Sequence, residues 1–340
     1  MRQFDEYLRC TVDRDIIPGA VFAMGDADHV LFSAAYGVRR QLPSKEEMTV
    51  ETLFDLASLT KVTAVWPAVL KLLECGMWRL DTMVGEIDPD VRDTPVGQVS
   101  ICQLLTHSAC LPERTWIVQY GRKREQIYRG ICECGLDSEP GTRVAYSNRG
   151  FILLGCLIEK AVGMSIDEFV GRNVWSPSGM YRTRYNPEDT ENAAPTEFDA
   201  SQGKFICGSV HDENARVLKG VSGHAGVFSD VHDLSRFCRM IVRGGEIDGK
   251  QVLSQEWIAK SFYNYTSDLN EGRGLAWQKR PGENGMYRHF GFTGTAIWID
   301  PQKSRWAVLL TNRVHPDREK YASGIQEVRA AVQNYLDEWR

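Results

Sequence analysis

The segment Phe54-Asp55-Leu56-Ala57-Ser58-Leu59-Thr60-Lys61 places a hydroxyl and an amine three residues apart, where a helix is predicted to begin. Residues three apart share one face of a helix, so Ser58 and Lys61 are expected to reach one another. The helix is predicted to end near Gly76, from apolar residues at helical spacing: Leu59, Val62, Val65, Trp66, Val69, Leu70 and Leu73. Free N–H groups in its first turn would stabilise a negatively charged oxygen at Ser58.

A serine hydroxyl is a poor nucleophile until a neighbouring base takes its proton, and neutral Lys61 is the candidate base. The Ser-x-x-Lys pattern occurs again at residues 201–204, with a glycine inside it and no apolar periodicity around it. We interpret that second copy, from Ser201 to Lys204, as chance. Cys207 with His211 is another candidate nucleophile pair, although a buried cysteine usually only packs.

Composition restricts the class of protein. The chain has 340 residues and 43% hydrophobic content, enough for one large domain or two interleaved ones. A net charge of -5 without a basic stripe argues against nucleic acid as a partner. Nine cysteines without a paired framework predict reduced thiols. Residues 1–7 include acidic residues instead of an apolar signal core, and no window approaches ~20 apolar residues, so we expect a cytoplasmic protein that does not enter a membrane.

Both ends of the chain carry strand patterns. A helix over Gln3–Ile16 is followed by two predicted strands near the N-terminus, and four short strand-like runs lie near the C-terminus before an amphipathic helix through Ile325 and Tyr335. The predicted strands are Ala20–Met24, Val30–Ala35, Leu275–Lys279, Tyr287–Phe292, Ala296–Asp300 and Trp306–Thr311. The early strands have no other partners nearby in sequence, so we expect one antiparallel sheet from both chain ends. The predicted fold class is α/β (α+β), with helices flanking this sheet and a mainly helical insertion.

The middle of the chain is predicted to be helical. Val99–Leu105 indicates a helix start capped by Ser100, and Phe151–Ile158 indicates a buried helix that ends at Gly163. Residues 112–139 show no clear pattern, and residues 181–220 are interpreted as mostly loop before a helix capped at Ser229 or Asp230. We therefore expect residues 1–56 together with 230–340 to form a sheet domain and residues 57–229 a mainly helical domain, with the active site at their interface.

Three short motifs occur in a fixed order. Ser58-x-x-Lys61, Tyr146-x-Asn148, and His289-Phe290-Gly291 before Phe292-Thr293-Gly294-Thr295 resemble the three motifs of the class C β-lactamases. The same set occurs in low-molecular-mass penicillin-binding proteins and related esterases. The flanking segments also resemble the family, so the resemblance covers most of the chain: they are residues 52–58, 103–108, 139–141 and 151–155.

The resemblance implies acyl transfer, in which Ser58 attacks a carbonyl group, an acyl-enzyme forms and water releases it. Lys61 and Tyr146 would share the general acid and base roles, and Asn148 would bind Lys61 and the substrate amide. The N–H groups of Ser58 and Phe292, the residue after Gly291, would form the oxyanion hole. The alternative for Tyr146 is a core tyrosine whose hydroxyl binds the backbone. No cofactor is implied.

One motif departs from the family pattern. His289-Phe290-Gly291 stands where class C β-lactamases carry Lys-Thr-Gly, and a histidine is expected to be only partly charged at pH 7. It would bind a substrate carboxylate less firmly than lysine, and Phe290 removes a hydroxyl. Both changes favour esters or less anionic substrates, although Arg288 or Arg313 could supply the missing charge.

A further similarity, to a penicillin-binding-protein-like branch, includes His211, Asp212 and His224, which could line the cleft or support it from behind. A metal site built from them with His232 follows no familiar ligand spacing, and no metal is predicted. We predict a serine hydrolase acting on a small-molecule ester, a D-amino-acid peptide or other amide, or a β-lactam through acyl-Ser58. The alternative is a penicillin-binding-protein-like receptor or DD-peptidase that is acylated with little turnover.

Overall fold

The fold is built around one antiparallel sheet to which both ends of the chain contribute. The computed structural model describes residues 2–114, 116–188, 190–282 and 285–339. Its strands are β1 (Gly19–Asp26), β2 (Val30–Arg40), β3 (Glu46–Glu47), β4 (Phe54–Asp55), β5 (Arg184–Tyr185), β6 (Phe198–Asp199), β7 (Lys204–Phe205), β8 (Val227–Ser229), β9 (Glu246–Ile247), β10 (Lys250–Gln251), β11 (Gln278–Lys279), β12 (Tyr287–Phe290), β13 (Ala296–Asp300) and β14 (Arg305–Thr311). The main sheet has seven strands in the order β11-β12-β13-β14-β1-β2-β3. Ala20 of β1 lies opposite Thr311 of β14, which joins the two chain ends. The predicted fold class is confirmed.

Helices cover both faces of this sheet. They are α1 (Arg2–Asp13), α2 (Trp66–Glu74), α3 (Val84–Ile87), α4 (Ile101–Leu105), α5 (Arg124–Glu133), α6 (Asn148–Val162), α7 (Ile166–Val170), α8 (Glu213–Val217), α9 (Val231–Val242), α10 (Gln255–Ser261) and α11 (Ala322–Glu338). Successive residues of a strand point to opposite faces. Accordingly, Ile297 and Ile299 of β13 join the larger hydrophobic core, whereas Trp298 joins a smaller one beneath α1 and α11.

The larger core runs from the sheet into the helical part of the chain. It contains Val21 of β1 and Ile297 of β13 together with Leu70 of α2 and Phe151 of α6. One continuous apolar cluster therefore spans the boundary between the two predicted units. The division into residues 1–56 with 230–340 and residues 57–229 stays a prediction.

Several predicted boundaries differ from the structure. The N-terminal helix ends at Asp13, and the strand predicted over Tyr287–Phe292 ends at Phe290 because Gly291 begins a turn that Gly294 N–H closes onto its carbonyl oxygen. The strand predicted over Leu275–Lys279 is shorter in the structure, where only β11, Gln278–Lys279, forms. Residues 181–220, predicted to be mostly loop, include β5, β6, β7 and α8. Residues 112–139, for which no structure was predicted, contain α5. Thr115 and Asp189, which fall in these two regions, lie outside the described residues.

The helix after Ser58 is less regular than its apolar spacing predicts. Ala57–Leu59 form a 3₁₀ turn and Lys61–Val65 a π-helical turn before α2 begins. A π-helical turn rotates side chains relative to a regular α-helix, and such turns are frequent at functional sites. The local geometry that presents Ser58 and Lys61 therefore differs from the α-helical face assumed from spacing.

Helix caps follow their sequence signals. The side chain of Ser100 accepts a hydrogen bond from Gln103 N–H at the start of α4, and Asp230 caps α9 in the same way. Gly163 ends α6 with φ +69°, as predicted. Within the described ranges, no helix combines the length and apolar character needed to cross a bilayer, and the cellular location stays a prediction.

Two glycines, one after α6 and one after α7, allow a matched test of these helix ends. Gly163→Ala should lower the free energy of unfolding by about 1 kcal/mol, since alanine is strained at positive φ. Gly171→Ala should raise it by about 0.5–1 kcal/mol, because Gly171 has helical angles and an added Cβ would meet nothing within 4 Å. Urea denaturation measures both; equal effects of the two substitutions would contradict this assignment of the α6 terminus.

Candidate active site

Ser58 lies on a strained turn between β4 and α2. The preceding residue, Ala57, has φ +46°, a conformation that costs a non-glycine residue about 1–2 kcal/mol. The buried Asp55 holds this turn, because its carboxylate accepts hydrogen bonds from Ala57 N–H at 2.8 Å and His211 N–H at 2.7 Å. Burial raises the pKa of Asp55, although these two N–H groups and the His211 ring oppose the shift. The turn thus exposes part of Ser58 at the cleft.

Lys61 is completely buried and reaches three oxygen atoms. Its Nζ lies 3.0 Å from Ser58 Oγ, 2.9 Å from Asn148 Oδ1 and 3.2 Å from the carbonyl oxygen of His224. A neutral amine has two N–H bonds and one lone pair. Asn148 Oδ1 and His224 O are pure acceptors for such an amine, whereas the Ser58 hydroxyl can donate or accept.

Tyr146 lies immediately before α6, with its ring beside Lys61. The Lys61 Nζ is 5.0 Å from the ring centroid, and the ring of His107 is 4.4 Å away on centroids. The Tyr146 side chain is 37% exposed, so it is not a buried core tyrosine. Within the part of the chain that the structure describes, no hydrogen bond joins its hydroxyl to Ser58 or Lys61.

The turn that follows β12 packs directly on the turn that carries Ser58. An added Cβ on Gly291 would lie 2.5 Å from the carbonyl oxygen of Leu56 and 2.0 Å from Thr295 Oγ1, so only glycine fits. Thr295 and Thr293 donate hydrogen bonds to the carbonyl oxygens of Leu56 and Asp55. These bonds hold the strand end beside the Ser58 turn.

Two further contacts fix the strand end from behind and from the side. Arg329 of α11 donates to the carbonyl oxygens of Gly291 at 2.7 Å and Thr295 at 2.9 Å. Phe292 is 47% exposed, and its ring stacks on His211 at 5.6 Å. Among the described residues, no group accepts a hydrogen bond from the Phe292 N–H.

His289 is neutral in this structure. The residue is only 4% exposed, and neither ring nitrogen has a hydrogen-bond partner among the described residues. Burial, helped by the nearby Lys61 and Arg273, holds the pKa of His289 well below its usual range. The expectation of a partly charged histidine is therefore wrong, because the fold removes this ring from water and surrounds it with basic groups.

The cleft around these residues has a volume of about 610 Å³. Its lining includes Ser58, Tyr146, Asn148, His289, Gly291 and Phe292, together with four arginines: Arg273, Arg313, Arg318 and Arg329. Arg313, one of the two predicted sources of positive charge, lies at the cleft. Arg288, the other, is not part of this lining, and its Nε donates to Gln278 instead.

Sequence reasoning missed Arg273, Arg318 and Arg329 as lining residues. Arg273 is only 4% exposed, contacts Glu271, and places its guanidinium 5.8 Å from the centroid of the Tyr146 ring. It stands in a stretch without a motif, so nothing local in the sequence pointed to it. The helical spacing of α11 predicted a packed helix but not which of its polar residues turn inward.

His211, Asp212 and His224, which resemble a penicillin-binding-protein-like branch, take part in two separate ion pairs. His211 Nε2 lies 2.5 Å from Glu197 Oε2, whereas His224 Nε2 lies 2.8 Å from Asp212 Oδ1. His232 is exposed on α9. Across the described ranges, no group of three or more His, Cys, Asp and Glu side chains is arranged to hold a metal ion.

Ser201 and Cys207, the other candidate nucleophiles predicted from the sequence, have surroundings different from those of Ser58. Ser201 lies in the exposed turn after β6 and donates to Asp199 Oδ1 at 2.6 Å. Burial raises the pKa of the Cys207 thiol, which lies 3.4 Å from the carbonyl oxygen of Ala193. The ring of His211 is engaged by Glu197 instead.

The antiparallel sheet, its flanking helices and the cleft define a β-lactamase/transpeptidase fold. The chain belongs to the β-lactamase family, whose sequence profile matches residues 4–330, and it is a serine hydrolase of that family. The N-acetylmuramyl-L-alanine amidase of Bacillus subtilis (strain 168) is 28% identical over 351 residues, covering 89% of this chain and 80% of the relative. A putative D-alanyl-D-alanine carboxypeptidase of Escherichia coli (strain K12) is 26% identical, covering 93% and 82%.

Solved structures share the fold at lower identity. A class C β-lactamase superimposes with a TM-score of 0.77 at 18% identity, covering 97% of this chain and 95% of that one. EstCE1, a hydrolase with promiscuous acyltransferase activity, gives 0.76 at 21% identity, with coverage of 96% and 97%. The octameric penicillin-binding protein homologue from Pyrococcus abyssi gives 0.74 at 22%, covering 96% and 77%.

The neutral state of His289 predicts how stability depends on pH. A histidine whose pKa is lowered by folding binds a proton only after unfolding, so stability is complete above pH 6.5 and falls as pH decreases towards the folded pKa. Each such histidine contributes about 1.4 kcal/mol per pH unit there. Burial and nearby basic groups also hold the pKa of His107 well below its usual range, so His107 adds to the effect.

Comparison with a variant isolates the contribution of His289. Urea denaturation between pH 5 and 6.5 should give a slope shallower by about 1.4 kcal/mol per pH unit in His289→Asn than in the wild type. His232→Asn, a change on the exposed side of α9, is the control and should keep the wild-type slope. An unchanged slope in His289→Asn would show that the ring is charged in the folded protein.

Proposed function

We propose that Ser58 is the nucleophile of this hydrolase and that it forms an acyl-enzyme with an ester, amide or β-lactam carbonyl. The observation that supports this most is the burial of Lys61 with its Nζ 3.0 Å from Ser58 Oγ. An amine without access to water, held against a partly exposed hydroxyl, fits a general base better than a surface ion pair.

The proposed reaction begins when the lone pair of neutral Lys61 accepts the Ser58 proton. Ser58 Oγ then bonds to the substrate carbonyl carbon, and the carbonyl electrons move to its oxygen. The N–H groups of Ser58 and Phe292 stabilise this oxyanion; loss of one such donor typically costs ~3 kcal/mol. The absence of another partner for the Phe292 N–H in the described residues supports this role.

Collapse of the intermediate expels the leaving group, which takes the proton held by Lys61, with Tyr146 as the proposed relay. Water then attacks the acyl carbon and gives its proton to the same basic groups. The bond to Ser58 Oγ breaks, and the proton passes to Oγ as the acid leaves. Asn148 orients Lys61 through Oδ1. Its amide nitrogen, which has no acceptor among the described residues, would contact the substrate.

The cleft lining supports a preference among substrates. His289 is neutral and supplies no charge, which supports esters or weakly anionic substrates over strongly anionic ones. Arg313, only 8% exposed but lining the cleft, keeps carboxylate-bearing substrates such as D-amino-acid peptides and β-lactams within reach. Its Nε donates to the carbonyl oxygen of Phe292 and its Nη1 to that of Arg318, which leaves Nη2, without an acceptor among the described residues, for the substrate.

Replacement of the nucleophile tests this proposal. Ser58→Ala should lower hydrolysis of a short-chain p-nitrophenyl ester and of nitrocefin by at least about 10³-fold, because no other group in the cleft is activated as Ser58 is. Ser201→Ala, in the second Ser-x-x-Lys pattern, is the matched control and should keep wild-type turnover. Undiminished hydrolysis by Ser58→Ala would remove the assignment.

Relatives named as putative D-alanyl-D-alanine carboxypeptidases favour a second candidate, a DD-peptidase or receptor that is acylated with little turnover. Intact mass after exposure to a β-lactam separates the two. A persistent adduct on Ser58 supports slow turnover, whereas transient labelling with release of product supports a hydrolase with rapid deacylation.

A further inference from the structure

The carbonyl oxygen that binds Lys61 belongs to a residue whose side chain is itself held at both ends. His224 is 1% exposed, its Nε2 lies 2.8 Å from Asp212 Oδ1, and its Nδ1 lies 2.8 Å from Ser222 Oγ. Both ring nitrogens are therefore engaged. A ring fixed in this way also fixes the backbone to which it is attached.

Asp212 anchors the far end of this arrangement. Its Oδ1 also accepts a hydrogen bond from Ala215 N–H at 2.8 Å, so the carboxylate is tied to the start of α8. Burial acts to raise the pKa of Asp212, but His224, the Ala215 N–H and Lys61 outweigh burial and hold it well below its usual range. The carboxylate is therefore ionised and remains a strong acceptor for His224.

The segment that carries His224 also packs tightly against α6. A Cβ on Gly223 would lie 2.0 Å from the carbonyl oxygen of Phe151 and 3.1 Å from the N of Gly155. Asn148, which supplies the other pure acceptor for Lys61, is the first residue of the same helix. Both acceptors are thus positioned relative to α6.

We propose that Asp212 and His224 are positioning residues, which hold the carbonyl oxygen of His224 against Lys61 so that the lone pair of its neutral amine faces Ser58. The inference rests on the proposed role of Lys61 as the base. Rotation about the Cε–Nζ bond has three staggered positions. The proposed position is the one in which the N–H bonds point to Asn148 Oδ1 and His224 O and the lone pair points to Ser58.

Truncation of the anchor should slow acylation without weakening substrate binding. Asp212→Ala is expected to lower kcat for the p-nitrophenyl ester, and the rate of Ser58 labelling by a fluorophosphonate, by about 10- to 100-fold with KM nearly unchanged. Asp212→Asn keeps an oxygen that can accept from His224 Nε2 and Ala215 N–H. It should therefore restore most of the rate.

A structural control separates positioning from simple loss of stability. Asp88→Ala removes another mostly buried carboxylate, one that binds Tyr128 and Lys160 and does not line the cleft. It should lower Tm but leave the labelling rate at the wild-type level. Ser222→Ala, a milder change that removes the contact with His224 Nδ1, should slow labelling by about fivefold, as expected for one hydrogen bond.

The outcomes distinguish this inference from the proposed function. Wild-type labelling rates in both Asp212→Ala and Ser222→Ala would overturn it, as would a rate in Asp212→Asn as low as that in Asp212→Ala, since charge rather than position would then matter. Loss of labelling in Ser58→Ala together with those results would leave the proposed nucleophile intact. Labelling that persists in Ser58→Ala would instead refute the proposed function itself.

Discussion

The close approach of Gly291 to the Leu56 carbonyl is the constraint on which the site depends. The end of β12 and the turn that carries Ser58 come from opposite ends of the chain, and nothing in the local sequence of either brings them together. Contact requires a residue without a Cβ at position 291, since an added Cβ would lie 2.5 Å from the Leu56 oxygen. Two threonine hydroxyls then bind the turn's carbonyl oxygens, so the cleft acquires a rigid wall. Because this wall is the short turn that joins β12 to β13, its position is determined by the main sheet.

Burial of basic groups determines the charge of the cleft. Arg273 and Arg329 are almost completely buried. Burial, reinforced by Arg313 and Arg288, lowers the pKa of Arg329 to about 9, yet its bonds to two carbonyl oxygens hold it in place. Neighbouring histidines cannot accept further positive charge, so His107 and His289 are neutral. The cleft thus combines buried arginines with neutral rings, and its electrostatic environment is positive.

The sequence predicted those features that follow from local spacing. Ser58 and Lys61 lie three residues apart, so almost any helical turn brings them together, and the paired strands at the two chain ends required a common sheet. The Tyr146-x-Asn148 and His289 motifs became informative only through their order along the chain. Non-local features could not be predicted in this way. The charge state of His289 depends on burial beside Lys61 and Arg273. The positive φ of Ala57 is held by a hydrogen bond from its N–H to the Asp55 carboxylate, which also accepts one from His211 N–H. Arg273 carries no motif, because its place in the cleft results from packing.

Two adjacent residues, His211 and Asp212, support different parts of the cleft. His211 donates its backbone N–H to Asp55 and stacks on Phe292. It therefore stabilises both the turn that carries Ser58 and the turn after β12. Asp212 has extended backbone angles, and its side chain instead reaches His224, whose carbonyl oxygen binds Lys61. Side chains of successive residues in extended backbone point in opposite directions, which explains how one dipeptide serves both parts. A backbone shift at this dipeptide would therefore disturb the strand end and the buried amine together, whereas a side-chain truncation would affect only one of them.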